Sequence, residues 1–187
     1  MNDRYSKYKE EIMNTRKLLL VIDMQKDFVD GALGTAEAVS IVPNVLSEIT
    51  KYDKKDIFVT RDTHPENYLE TQEGKNLPVV HCVKGTPGWE LNADVANAVS
   101  GAEIFDKPTF GSTALAGRMK DLAAEGPIDI TLIGLCTDIC VISNALLIKA
   151  FLPEVPIHCI ASCCAGVTPA KHLAALETMR SCQIDII

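Results

Sequence analysis

The chain has 187 residues, a size natural to one domain built on one core. Hydrophobic residues make up 47% and charged residues 23%, and 18 Lys and Arg against 25 Asp and Glu leave a net charge of −7. With no Lys/Arg cluster to neutralise phosphates and no apolar stretch of bilayer length, these numbers argue against nucleic-acid binding and membrane insertion.

Residues 1–16 are polar and highly charged, apart from Tyr5, Tyr8 and Ile12, and read as an extension ahead of a single domain at 17–187. Met13 is an alternative start, and no signal peptide opens the chain, so the cytoplasm is the expected compartment. The run 18–23 is apolar on both faces, as in the middle of a covered parallel sheet. A loop from Asp27 to Ala36 leads to a helix predicted over 37–52, with Val39, Val42, Val45, Leu46 and Ile49 at helical spacing. Strand 57–61 precedes a polar segment from Asp62 to Thr86, too long for an ordinary connection, whose histidines and acids favour function over disorder.

A short helix near 90–99, strand 103–106 and helix 113–124 come next. Strand 128–135, helix 138–151, strand 156–161, helix 169–181 and a last strand at 183–187 complete the chain. Strands alternating with helices predict an α/β fold of three α/β/α layers, with a central, mostly parallel six-stranded sheet of Rossmann type. Seven cysteines, an odd number without a Cys-x-x-Cys pair, read as free thiols in a reducing compartment, most of them packed as small hydrophobes.

In such a sheet the carboxyl ends of the strands share one edge, where ligands bind. Asp23 closes one apolar run, Asp62 and His64 follow another, Lys107 ends a third, and Cys140 lies just past a fourth. An acid, a lysine and a thiol converging there indicate nucleophilic catalysis by cysteine. In Gly134-Leu135-Cys136-Thr137-Asp138-Ile139-Cys140-Val141, Thr137 or Asp138 is placed to cap the next helix. Cys140 then falls in the first turn, where the macrodipole and free N–H groups are expected to lower its pKa and to cradle an oxyanion. Read singly, a buried structural Cys140, a solvated Lys107 and a turn-capping Asp23 are the bland alternatives; an unpartnered Asp ending so apolar a strand is the costliest of these.

These residues resemble the isochorismatase-like cysteine hydrolase superfamily, and within it the nicotinamidases. Asp23 in Val-Ile-Asp-Met-Gln-Lys-Asp-Phe matches the first-strand aspartate motif, Lys107 in Asp-Lys-Pro-Thr-Phe-Gly-Ser the lysine motif, and Thr137-Asp138-Ile139-Cys140-Val141 the nucleophile motif. The resemblance runs from about residue 17 to the C-terminus. It implies a covalent amidase mechanism with Cys140 as nucleophile, Asp23 as general base and then acid, and Lys107 organising both. The implied oxyanion hole uses the N–H groups of Cys136 and Cys140, with a cis peptide at Leu135–Cys136.

The segment running through Gly85-Thr86-Pro87-Gly88 resembles the nicotinamidase metal loop, and Asp62, His64 and His81 match its ligands. Glu73 matches a variable fourth ligand, with Glu70 as the fallback. The cofactor implied is a divalent metal, Zn²⁺ first, with the donor types suiting Zn²⁺, Mn²⁺ or Fe²⁺; in that family it holds the pyridine nitrogen. Phe28 matches an aromatic that stacks on the substrate ring, whereas the second aromatic position falls on Pro78, leaving Tyr68, Trp89 or a second subunit to supply the other face. The implied partners are a small-molecule amide, with nicotinamide hydrolysed to nicotinate, and further copies of the chain in a homo-oligomer. A related hydrolase for another small amide or carbamoyl compound, and a catalytically silent ligand-binding relative, are the alternatives. Isochorismatases proper do without the cysteine and the metal ligands.

Overall fold

A computed structural model describes residues 15–187. Residues 1–14 of the expected extension lie outside the described residues, and Arg16, within its expected bounds, already opens the first strand. Six strands form the sheet: β1 (Arg16–Ile22), β2 (Ile57–Asp62), β3 (Glu103–Lys107), β4 (Ile128–Leu135), β5 (Ile157–Ala165) and β6 (Asp185–Ile186). They are ordered β3-β2-β1-β4-β5-β6, and every pair is parallel. The helices are α1 (Lys26–Val29), α2 (Ala36–Ile49), α3 (Gln72–Asn76), α4 (Ala93–Ala98), α5 (Thr113–Glu125), α6 (Ile142–Phe151) and α7 (Pro169–Ser181).

Alternation along β1 builds both cores. Leu18, Leu20 and Ile22 face a layer that includes Leu115 and Met119 of α5, Ile148 of α6 and Leu176 of α7. Leu19 and Val21 face the opposite layer, with Ala38, Ile41, Val45 and Ile49 of α2 and Val95 of α4. All five β1 residues from 18 to 22 are fully buried, so this strand has no solvent face and cannot slip register without loss of packing on both sides. The strand order reverses between β1 and β4, and at such a switch point the diverging connections leave a crevice outside the carboxyl ends. Gly134, paired with Ile22 across that junction, has φ 120°, and a Cβ there would run into the Ile22 backbone.

Helix α2 departs from its expected face. The buried stripe is Ala38, Ile41, Val45 and Ile49, while Val39 is 48% exposed and Val42 and Leu46 only flank the core. Both stripes satisfy a helical period; periodicity sets the spacing but not which of two overlapping phases meets the sheet. Thr35, whose hydroxyl accepts the Ala38 N–H at 3.0 Å, starts the helix one residue before the expected position. Strand β5 runs four residues further than expected and takes in Cys163 and Cys164, with a register shift against β4 between Leu132 and Gly134. Among the described residues no helix is long and apolar enough to cross a membrane.

Candidate active site and metal centre

The carboxyl ends of β1, β3 and β4 bring Asp23, Lys107 and Cys140 together. Lys107 Nζ lies 2.7 Å from Asp23 Oδ2 and 3.4 Å from Cys140 Sγ. Asp23 and Lys107 are 0% and 1% exposed, and Cys140 is 4%. Asp23 takes a left-handed backbone conformation, φ 47°, which Asp tolerates better than most residues and which turns the chain out of the sheet. Its Oδ1 accepts the Thr60 hydroxyl at 2.6 Å, while Oδ2 has no aligned hydrogen-bond donor besides its ion pair with Lys107.

Burial pushes the Asp23 carboxyl above its ordinary range, against the pull of Lys107. Burial likewise opposes the Lys107 ammonium, but Asp23, Cys140 and Asp62 outweigh it and hold the lysine charged. Cys140 differs from expectation. Burial, and then the neighbouring Asp23 charge, push its thiol well above the ordinary cysteine value, with Lys107 offsetting only part. The expected lowering by a helix N-terminus is overridden because the sulfur is buried beside the Asp23 carboxylate.

The backbone around Cys140 also differs. A π-helical turn, Thr137–Val141, precedes α6, and the Cys136 carbonyl accepts both the Ile139 and Val141 N–H groups at 3.1 Å. Neither Thr137 nor Asp138 caps a helix. Thr137 Oγ1 instead shares a 2.8 Å hydrogen bond with His172 Nδ1, and Asp138 Oδ1 accepts the Val167 N–H at 2.9 Å. Turns of this kind recur at functional sites. The Leu135–Cys136 peptide is cis. Cys136 faces the same cavity as Cys140, and burial pushes its thiol up to about 12.

Beside this trio, Asp62, His64, Glu73 and His81 place one ligand atom each within 4.8 Å of one another. His64 Nε2 is 3.0 Å from Asp62 Oδ2 and 3.7 Å from Glu73 Oε1, and His81 Nε2 is 3.8 Å from each of those oxygens. His81 Nδ1 bonds to the Val79 carbonyl at 2.8 Å; as the N–H donor there, the ring turns its other nitrogen's lone pair into the cluster. Burial would raise Asp62, but His64 and Lys107 outweigh it and keep the carboxyl below its ordinary range. His64 Nε2 is buried without a hydrogen-bond partner. Two carboxylates and two imidazoles converging with an orphaned ring nitrogen fit a divalent cation. Glu70 stands outside the cluster, with its Oε2 accepting from Asn67 at 3.0 Å.

Two polar residues missed in the sequence brace this geometry. The amide of Gln25, fully buried, donates to the carbonyls of Asp62 and Trp89, both at 2.8 Å, and its oxygen accepts the Asp62 N–H at 2.7 Å. Asp27 Oδ2 accepts the Cys82 N–H at 2.8 Å, tying down the residue after His81. The segment 23–28 thus supplies an acid, a clamp for Asp62, a clamp for the loop of His81 and, in Phe28, a wall. The alternation of polar residues after Asp23 was the signal available.

Both clusters open into one cavity of about 230 Å³, below the roughly 300 Å³ at which pockets for drug-sized ligands begin. Asp62, Glu73, His81 and Cys140 line it, with Phe28 as one aromatic wall. The other aromatic is Phe110, which is 45% exposed. Tyr68 instead packs on His64 and His81 at 4.6 and 5.0 Å, and Trp89 donates its N–H to Thr63 with Arg61 stacked on its ring. Pro78 is not among the lining residues.

Comparison with known proteins agrees with this arrangement. Residues 17–187 match the isochorismatase domain family. The nicotinamidase of Schizosaccharomyces pombe is 26% identical, the alignment covering 94% of each chain. A zinc complex of the pyrazinamidase of Pyrococcus horikoshii superposes with a TM-score of 0.73 at 30% identity, covering 92% of this chain and 98% of that one. The pyrazinamidase/nicotinamidase of Streptococcus mutans gives 0.76 at 28% identity, covering 91% and 99%. With the family match spanning nearly the whole described chain, and the predicted α/β architecture present, this protein belongs to the isochorismatase family.

Proposed function

We propose that the protein is a metal-bearing cysteine amidase that hydrolyses a small carboxamide, nicotinamide first among them, to the acid and ammonia. One observation carries this reading: Lys107 sits between Asp23 at 2.7 Å and Cys140 at 3.4 Å, beside a small cavity that the metal cluster also lines. The relatives named above act on nicotinamide or pyrazinamide, as their names state. Free thiols throughout the described chain suit the reducing cytosol, which is part of the proposal. So is a homo-oligomer, supported by the exposed apolar rim at Phe110 and Val167.

In this mechanism the resting pair is a protonated Cys140 and an ionised Asp23, consistent with the raised thiol. Asp23 Oδ1 is engaged by Thr60, so Oδ2 takes the thiol proton as the sulfur attacks the amide carbon. The N–H groups of Cys136 and Cys140 receive the oxyanion. Asp23 then hands its proton to the departing nitrogen, and ammonia leaves a thioester. A water molecule, deprotonated by Asp23, opens the thioester to the carboxylic acid and restores the thiol. Lys107 keeps its charge throughout, stabilising Asp23 before proton transfer and the thiolate during it. A divalent cation, Zn²⁺ in this proposal, would be held by Asp62, His64, Glu73 and His81 and would supply an electrophilic anchor for the ring nitrogen.

Ammonia release from nicotinamide, pyrazinamide and a panel of aliphatic amides, with metal content measured in parallel, tests the proposal. Turnover of the pyridine and pyrazine amides with about one metal per chain is expected. Hydrolysis of aliphatic amides alone would replace this reading by its neighbour, a hydrolase for another small amide. That second reading is favoured by one feature, the half-exposed Phe110 standing where a buried second ring wall is expected.

A further inference from the structure

The π-helical turn that carries Cys140 is held from outside by a second-layer clamp on α7. His172, on the first turns of that helix, shares a 2.8 Å hydrogen bond with Thr137 Oγ1, thirty-five residues away in sequence. Thr137 is fully buried and follows Cys136, so its side chain anchors the residue next to one that lines the cavity. One residue on, Asp138 Oδ1 accepts the Val167 N–H at 2.9 Å from the same flanking segment. Gly166 lets the two pieces approach: a Cβ there would stand 2.7 Å from Asp138 Oδ1 and 2.9 Å from the His172 backbone nitrogen. Two adjacent residues of one turn are therefore gripped by one neighbouring segment. Burial lowers the His172 pKa, against the pull of Asp138, which leaves the ring neutral and its Nδ1 free to bond the hydroxyl.

We infer that His172 is a positioning residue: through the Thr137 hydroxyl it sets the turn from which Cys136 and Cys140 offer their backbone N–H groups, and so governs the chemical step without touching substrate. The Cys136 carbonyl already closes the turn on itself through Ile139 and Val141. That internal closure curves the turn, and the Thr137–His172 and Asp138–Val167 bonds tie its first two residues to α7 and the segment before it. Nothing in the Thr-Asp-x-Cys-Val motif reveals this, because the residue that reads it out lies on another element.

The inference rests on the amidase reading for its kinetic arm, and a second arm is independent of substrate. His172→Leu, which keeps bulk and removes the hydrogen bond, His172→Asn, which keeps a polar atom near the Nδ1 position, Thr137→Val and the Leu/Val double variant are assayed as metal-loaded full chains on nicotinamide. Expected is a kcat loss of roughly 5- to 20-fold in His172→Leu and Thr137→Val at unchanged KM, as for a lost bond that misplaces a reacting group. The double variant should be no slower than the slower single, since both remove one interaction. His172→Asn should recover to within about threefold of the parent. Amide hydrogen exchange over 136–141 should quicken in His172→Leu and return in His172→Asn. Parental kcat in His172→Leu, a loss confined to KM, additive singles, or unchanged exchange would each overturn the inference. A parent inert on nicotinamide would sink the nicotinamide reading alone, and exchange would still decide the clamp.

Discussion

The two polar clusters at the crevice differ in whether they are electrically complete. At the Cys140 corner, one carboxylate, Asp23, meets one ammonium, Lys107, at 2.7 Å, and burial favours the protonated form of the sulfur beside them. At the loop corner, Asp62 and Glu73 face two imidazoles, and His64 Nε2 has no hydrogen-bond partner. The first corner balances its own charge; the second has donors in excess, which suits a cation from outside. Lys107 belongs to both, since its Nζ is also 3.4 Å from Asp62 Oδ1. A buried charge without a counter-ion is strongly destabilising, so this shared lysine couples the integrity of one corner to the other.

The largest effect expected is at the sulfur. Cys140→Ala should lower ammonia release by at least about 10⁴-fold while the fold and the metal content persist, because the other members cannot act without a nucleophile. Cys136→Ala should keep a substantial part of the activity, as only its backbone is used. Full turnover in the Cys140 variant would end the covalent mechanism.

Lys107→Met ranks next and probes what the corners share. It strands Asp23 in a site that is 0% exposed and removes a neighbour of Asp62. Denaturant unfolding should show a loss of about 3–5 kcal/mol together with near-complete loss of turnover. A variant that is inactive but as stable as the parent would mean that Asp23 simply takes up a proton, which its raised pKa already favours.

Breaking the loop corner alone separates the two. Chelation, or His81→Ala, should abolish metal binding and lower the melting temperature, with alkylation of Cys140 by iodoacetamide little altered. Glu73→Gln should weaken metal binding and Glu70→Gln should not, since Glu70 is occupied with Asn67. Gln25→Leu is the subtler test of the same corner. It leaves the Asp62 N–H and two carbonyls unmatched in a buried site, a cost of about 1–3 kcal/mol. Metal affinity should fall with it, because Asp62 loses its brace.

Much of this was legible in the chain, for identifiable reasons. Asp23, Lys107 and Cys140 stand out because each interrupts or follows an apolar run that a covered parallel strand demands, and parallel topology then carries all such ends to one edge. Asp62, His64 and His81 are legible by motif. The phase of α2 was hidden, because Val39 and Ala38 both fit the helical period. The π turn was hidden too: residues 138–151 read as one helix, and the bond from Val141 to the Cys136 carbonyl leaves no mark in the apolar pattern. Gln25 could not be assigned because its partners, Asp62 and Trp89, are 37 and 64 positions away.

The smallest effect expected is at Phe110, and it concerns the rim that neither corner controls. Phe28 is 8% exposed and packs edge-on to His81 at 5.5 Å, so its ring is fixed by the metal loop and by the core alike. Phe110 touches the cavity but keeps 45% of its surface in water, and its backbone carbonyl is held by the Asn144 amide at 3.2 Å. Its backbone is anchored while much of its ring remains in solvent, so a flat substrate gains area against it without forcing a change elsewhere. Phe110→Leu should raise KM for nicotinamide about three- to tenfold, in line with about 0.5–1.5 kcal/mol for an aromatic pair, and leave kcat alone. Phe28→Leu should raise KM and also disturb metal content, because His81 loses the ring it leans on. Equal effects from the two substitutions would mean that the rim is as rigid as the floor, and that a second subunit rather than water covers Phe110.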